Sequence, residues 1–114
     1  MIVTTSEHVA HRATLATHGL VRGNTLRARH VGRDIMAGLR SLVGGEITDY
    51  TKMMAEAREQ ALDRMVDEAR ALGANGVVSI RFGTSYIMSN VAEILVYGTA
   101  VTLADDDGGV ESSG

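Results

Sequence analysis

Residues 47–103 read ITDYTKMMAEAREQALDRMVDEARALGANGVVSIRFGTSYIMSNVAEILVYGTAVTL, and a change of period inside this stretch decides the fold. In its first half, Ile47, Tyr50, Met54, Ala57, Ala61, Met65, Ala69 and Leu72 recur at steps of three and four. That spacing places them on one face of a helix, with Lys52, Glu56, Glu59, Asp63, Arg64, Asp67 and Arg70 on the others. Thr48 or Asp49 can cap the start, and Gly73 suits the left-handed position that ends a helix. Lys52 with Glu56, and Arg64 with Glu68, are i, i+4 pairs of a solvated face. Ala74-Asn75-Gly76 then turns the chain, and the period drops to two. Val77–Phe82 reads as a strand with Val78, Ile80 and Phe82 on one face, followed by a loop through Gly83–Asn90. Val91–Leu103 reads as a long strand that is apolar on both faces. Leu95, Tyr97, Val101 and Leu103 share one face; Ile94, Val96 and Ala100 share the other. A strand with one wet face should alternate apolar and polar residues. One helix covers one side of a sheet, so the second side calls for another helix or another subunit, and we expect both.

A second helix is available upstream. Residues 33–43 carry Ile35, Met36, Leu39, Leu42 and Val43 at i, i+1, i+4, i+7 and i+8, one helical face. Gly38 inside it costs about 1 kcal/mol relative to alanine, which suits close approach by another backbone. Gly44-Gly45 ends it. Ile2–Thr5 is β-branched and reads as a short first strand. Residues 12–28 read either as one bent strand interrupted by Gly19 and Gly23, or as a hairpin turning at Gly23-Asn24.

With 114 residues, 45% of them hydrophobic, the chain suits one domain. Its aromatic residues are Phe82, Tyr50, Tyr86 and Tyr97 alone, so the core must be built from aliphatic side chains and much alanine. Small side chains bury little area each, which favours further burial between subunits. The absence of cysteine excludes disulfides, thiolate metal sites and cysteine nucleophiles. The first ten residues lack the charged and apolar regions of a secretory signal, and no apolar run approaches the ~20 residues of a membrane span. We therefore expect a cytoplasmic protein with no membrane partner. Residues 104–114, ADDDGGVESSG, are acidic and aperiodic, and are expected to be a disordered tail on a domain covering 1–103.

Four segments resemble a known family: G-L-V-R-G at 19–23, R-D-I-M-A-G-L-R-S-L-V-G-G at 33–45, A-R-A-L-G-A-N-G-V-V at 69–78 and Y-G-T-A-V at 97–101. Together they make the chain similar to the YbjQ-like family, whose label is heavy-metal-binding. The resemblance spans roughly residues 2–103. It implies an α+β subunit with an antiparallel sheet packed on one long and one short helix. It also implies assembly into a ring-like homo-oligomer, typically a pentamer, and no established enzymatic activity. Relatives tend to carry acidic residues in the strand matching Val77–Tyr86, whereas this chain reads VVSIRFGTSY. Within the matched segments, Arg33, Asp34, Gly38, Gly44, Gly45, Tyr97 and Gly98 are expected to serve structure or an interface. Asp34 at a helix start also complements the helix dipole.

Metal binding is the first chemistry to weigh. Glu7, His8 and His11 could approach one divalent ion if their segment forms a turn; on a strand, positions three apart face opposite sides. No HExxH pattern is present, and the simpler reading is a set of surface histidines, with His18 and His30. Met53 and Met54 offer soft ligands but sit in or beside the core stripe. Arg12, Arg22, Arg27, Arg29, Arg33 and Arg40 face only Asp34 in their stretch, a pattern compatible with an anion or nucleic-acid surface. No aromatic nucleic-acid motif accompanies them, so complementary charge between subunits explains these arginines and the acidic long helix better. Ser79, Ser85 and Ser89 show no nucleophile-elbow pattern, and the glycines match neither phosphate- nor dinucleotide-binding loops. The leading expectation is a non-enzymatic homo-oligomeric binding or scaffold protein. A metal-binding protein comes second and an enzyme of unrecognised type third.

Overall fold

A computed structural model describes residues 1–28, 45–88 and 91–106. The chain runs β1 (Ile2–Val3), β2 (Thr14–Ala28), α1 (Gly45–Ala71), β3 (Gly76–Met88) and β4 (Val91–Leu103). The four strands form one sheet in the order β1-β3-β4-β2. β4 is antiparallel to both neighbours, while β1 pairs parallel with β3 through Ile2–Gly76 and Val3–Val77. The sheet is therefore mixed where an antiparallel one was expected, because β1 and β3 run the same way on one edge. The expected helix at 33–43 and the tail beyond 106 lie outside the described residues.

The long helix keeps its predicted stripe. Met54, Ala57, Ala61, Met65 and Ala69 are buried, and Leu72, just past the last turn, is half exposed. The helix begins at Gly45, before the Thr48-Asp49 caps suggested by sequence. It ends as expected, with Gly73 at φ 83°. The Gly73 and Ala74 N–H groups donate to the Arg70 and Ala69 carbonyls at 3.0 and 3.1 Å, satisfying the last turn.

β2 is one strand, not a hairpin. Register shifts at Thr14/Ala16 and Thr17/Gly19 bend it, and pairing with β4 then runs without a break to Ala28. Gly23 is no turn residue. A Cβ there would run into the Ala61 carbonyl and the Met65 nitrogen, so its hydrogen lets α1 lie directly on the strand. Thr25, buried one step along, donates its hydroxyl to the Ala57 carbonyl at 3.1 Å. Arg64 and Glu68 do not pair with each other as sequence suggested. Arg64 donates to the Asn24 carbonyl at 2.6 Å, and Glu68 accepts from the Arg22 N–H at 3.2 Å.

β3 differs most from expectation. It continues through Met88, where a loop had been read after Phe82. Ser79 sits at φ 55°, and the register with β4 shifts between Val78 and Arg81. This bulge places one extra residue in β3 and switches its faces. Val77 and Ile80 join the core under α1, whereas Val78 packs on the opposite side with Val101 and Leu103. Val78, Ile80 and Phe82 therefore do not share a face; only Ile80 and Phe82 do. Gly98 permits the bulge, since a Cβ would lie 2.8 Å from Val77 Cγ1 and 3.0 Å from the Val78 oxygen.

Two apolar layers result. Under α1 lie Val21, Val77, Ile80, Ala92, Ile94, Val96 and Ala100. On the far side, Val78, Val101 and Leu103 are covered by Ile2 and Val9 from the N-terminal segment. That cover was not foreseen from sequence: the segment before β2 closes one end of the second face. Asn75 locks the same end, its side chain donating to the Leu103 carbonyl at 3.0 Å and accepting from the Leu103 N–H at 2.7 Å.

Candidate functional site

The N-terminal segment covers only part of the second face. Further along, β2 alternates Val21, Gly23 and Thr25 toward α1, which leaves Leu20, Arg22, Asn24 and Leu26 facing away. Leu20 is 64% exposed and Leu26 56%. In β4, Ala92, Ile94, Val96 and Gly98 are buried toward α1, and Leu95 and Tyr97 look out beside those leucines. Arg22 and Arg81 are the register partners of Tyr97 on its two sides, so a row of Arg, Tyr and Arg crosses this face. Asn24 donates to the Glu93 carboxylate at 3.2 Å across the strands. A packed sheet normally presents polar side chains on its wet face. Here two leucines and a tyrosine remain uncovered among the described residues.

A second apolar area lies on the α1 side. α1 crosses β2 and β4, so the outer half of β3 overhangs it. Between them runs a groove of about 310 Å³ lined by Ala55, Arg58, Glu59, Leu62 and Phe82. Its continuation, about 300 Å³, is lined by Thr51, Met54, Arg58, Thr84 and Tyr86. Phe82 and Tyr86 are 49% and 68% exposed. Sequence reasoning ended its strand at Phe82 and so missed Tyr86 as a strand residue. The signal was the run Thr84-Ser85-Tyr86-Ile87-Met88, rich in strand formers, which Gly83 disguised as a loop.

Glu7, His8 and His11 lie in the exposed segment between β1 and β2. His11 takes φ 64°, beside an isolated bridge between Val9 and Arg12. Among the described residues, no three His, Asp or Glu side chains come together as a metal site would require. His18 instead shares a 2.7 Å hydrogen bond with the Thr102 hydroxyl. Met54 is buried and Met53 packs against the core, as their stripe position implied. Gly45 opens α1; Arg33, Asp34, Gly38 and Gly44 lie outside the described residues. Tyr97 stands on the open face, while Gly98 is buried against β3.

Several of the described arginines bond within their own chain. Arg12 donates to the Ala104 carbonyl, Arg27 to the Leu26 carbonyl and Gln60, and Arg81 to the Thr5 and Ile80 carbonyls. Main-chain and side-chain contacts between β2 and α1 thus account within one subunit for part of the charge pattern that sequence had assigned to neighbours. No helix among the described residues is long and apolar enough to cross a membrane.

Residues 1–104 match the family model described as "Putative heavy-metal-binding", the YbjQ model. The chain belongs to this family. Family relatives include a UPF0145 protein of Halorubrum lacusprofundi, 57% identical over 103 residues, covering 90% of this chain and 99% of that protein. Another from Methanosarcina acetivorans is 52% identical, covering 90% of this chain and 97% of its own length. One from Archaeoglobus fulgidus is 54% identical with 90% and 95% covered. Among solved structures, a protein of unknown function from Pediococcus pentosaceus, of the DUF74 family, aligns with a TM-score of 0.66. It shares 16% sequence identity and covers 91% of this chain and 98% of its own, a likeness of fold. The resemblance read from the four sequence segments is thereby established as membership.

Proposed function

We propose that the chain is a non-enzymatic, cytoplasmic binding or scaffold protein that works as a ring-like homo-oligomer, a pentamer on the family resemblance. The observation carrying this reading is the uncovered face of Leu20, Leu26 and Tyr97, on the side of the sheet opposite the α1 core. Exposed apolar patches of this kind commonly mark contact surfaces. A ring uses a heterologous contact, in which one subunit's patch meets a different surface of the next. Native mass spectrometry at micromolar concentration tests the assembly, with Leu20→Ser/Leu26→Ser as the variant. The expected result is a multimer that falls apart in the variant while its helical circular dichroism persists. A monomeric unmodified protein would refute the reading.

A second reading rests on the family description. In it, Glu7, His8 and His11 hold a divalent ion at the subunit junctions, with ligands from neighbouring copies completing the shell. Exposure of that segment leaves these side chains accessible for such sharing. Dialysis against zinc followed by native mass measurement is the test. A retained metal mass that disappears in His8→Ala/His11→Ala supports it, and an unchanged apo mass rejects it.

A further inference from the structure

The chain covers the outer edge of β3 only in part. The N-terminal segment runs beside it as far as Ile80, whose N–H donates to the Thr4 carbonyl at 3.2 Å. From Phe82 to Met88, β3 pairs with β4 alone among the described residues. Main-chain groups alternate in direction along a strand. Since the Ile80 N–H points outward, the N–H and C=O groups of Phe82, Thr84 and Tyr86 point outward too. The other edge gives the same parity. Glu68 takes the Arg22 N–H from outside, so the β4 partner Tyr97 turns its own groups toward Arg81, the neighbour of Phe82. Unpaired edge groups are normally guarded by charges, bulges or covering side chains. β2 has Glu68 and Arg64 for this purpose. In β3 the register is regular from Arg81 to Tyr86, and the stretch FGTSYIM is exposed throughout, without charge or proline.

Beside this edge lies the groove under the β3 overhang. Phe82, Thr84 and Tyr86, two apart, share the side that faces it. From α1 it is lined by Thr51, Arg58 and Leu62 among others, and Arg58 borders both halves. No hydrogen bond or ion pair holds the Arg58 guanidinium among the described residues. Glu59, next in sequence, lines the Phe82 half without pairing with it.

We propose that the groove and the β3 edge together bind an extended peptide segment of another protein. The segment carries one acidic residue with an apolar residue two positions away on each side. Such a peptide adds a strand beyond β3, continuing the row that the N-terminal segment begins. Its residues opposite Phe82, Thr84 and Tyr86 exchange main-chain hydrogen bonds with them. Directly opposed residues share a face, so those three side chains turn into the groove. The outer two lie beside the aromatic rings, and the carboxylate between them meets Arg58 in a charge-assisted contact. Charge selects the occupant: the same edge of a second copy, FGTSYIM, brings no carboxylate to Arg58. The face of Leu20, Leu26 and Tyr97 lies on the other side of the sheet, so peptide and neighbouring subunit use separate surfaces. The proposal rests on the reading of the chain as a binding protein and names its partner class; copy number does not enter it.

The probe is the fluorescein-labelled peptide GSVTETVSG, titrated with the full-length protein and followed by fluorescence anisotropy. Saturable binding is expected. Glutamine in place of the peptide's glutamate, or Arg58→Gln in the protein, should weaken it at least ~10-fold, as loss of a charged hydrogen bond does. Arg70→Gln, the same change elsewhere on α1, should leave it unaltered. Thr84→Pro removes an edge N–H that β4 does not use, and should abolish binding while the circular dichroism persists. No saturation at millimolar protein, or binding indifferent to Arg58→Gln, would overturn the proposal. Amide exchange on the unmodified protein gives a second readout that needs no variant. The Phe82, Thr84 and Tyr86 amides should exchange fast alone and slowly with the peptide. Slow exchange before the peptide is added would also overturn the proposal. If that protection fades on dilution, a second copy holds the edge; if it does not, a segment of the same chain does. Native mass spectrometry of the same sample separates this reading from the ring. A multimer that ignores the peptide removes only the peptide site, and a monomer that binds it removes only the ring.

Discussion

Glu68 reaches from the last turns of α1 to accept the main-chain N–H of Arg22 at 3.2 Å. With Arg64 on the Asn24 carbonyl, it means that the helix shields a strand edge as well as covering a sheet face. Replacing both, as Arg64→Ala/Glu68→Ala, should leave the thermal midpoint within a few degrees, because both side chains are exposed. It should shorten the lag before thioflavin-positive aggregation at elevated concentration, because the β2 edge is then bare. An unchanged lag would mean that the bulges alone protect this strand.

Gly23 sets the distance between α1 and the sheet. Gly23→Ala pushes a methyl group into the Ala61 carbonyl and the Met65 nitrogen. Overpacking of this kind costs about 1–3 kcal/mol, and here the clash is with backbone, which yields least. Gly83→Ala, with nothing within 4 Å of its added Cβ, should unfold at the urea concentration of the unmodified chain. Urea midpoints for the two variants should therefore separate clearly.

Asn75 ties the end of β4 to the turn after α1 through two hydrogen bonds with Leu103. Asn75→Ala leaves the N–H and C=O of the buried Leu103 without these two partners, at about 1–3 kcal/mol. Amide exchange at Leu103 should accelerate more than exchange at Val96 in the middle of the strand. Equal acceleration at both would indicate global loosening instead of a freed end.

Met65 is wholly buried between α1 and the sheet. Truncation to alanine should cost about 2–5 kcal/mol, as for other large core side chains. Leu72→Ala, half exposed beyond the helix end, should cost far less. Chemical denaturation of both variants checks the contrast, and similar losses would contradict the placement of the helix stripe.

The helix was legible because its core face repeats from Met54 to Ala69 without a break, and its glycine end needs only local chemistry. β4 was legible for a related reason: Ile94, Val96 and Ala100 alternate cleanly, and an apolar opposite face announced a covered or shared surface. β3 was not. The bulge at Ser79 shifts its alternation by one residue, so Val78 and Ile80, two apart in sequence, look in opposite directions. Gly23 was ambiguous because a glycine reads alike at a turn and beneath a helix. Only the identity of the neighbour, Ala61, separates the two. The open edge of β3 was invisible for a different reason, since edge or centre is a property of strand order. For Glu7, His8 and His11, spacing alone gave no more than adjacency along the chain.

The N-terminal segment follows β3 from Asn75 to Ile80 and leaves it after Ser6, whose carbonyl takes the Ser79 N–H at 2.9 Å. Where it departs acts as a ruler. A segment that stayed on the strand for a few residues more would seal the outer half of β3 within its own subunit. One that left earlier would lengthen the bare stretch and uncover Val78. Small insertions or deletions around Glu7 and His8, in an exposed stretch of chain, are thus a route by which one fold changes how much of the β3 edge and of Val78 it covers without altering a residue of the core.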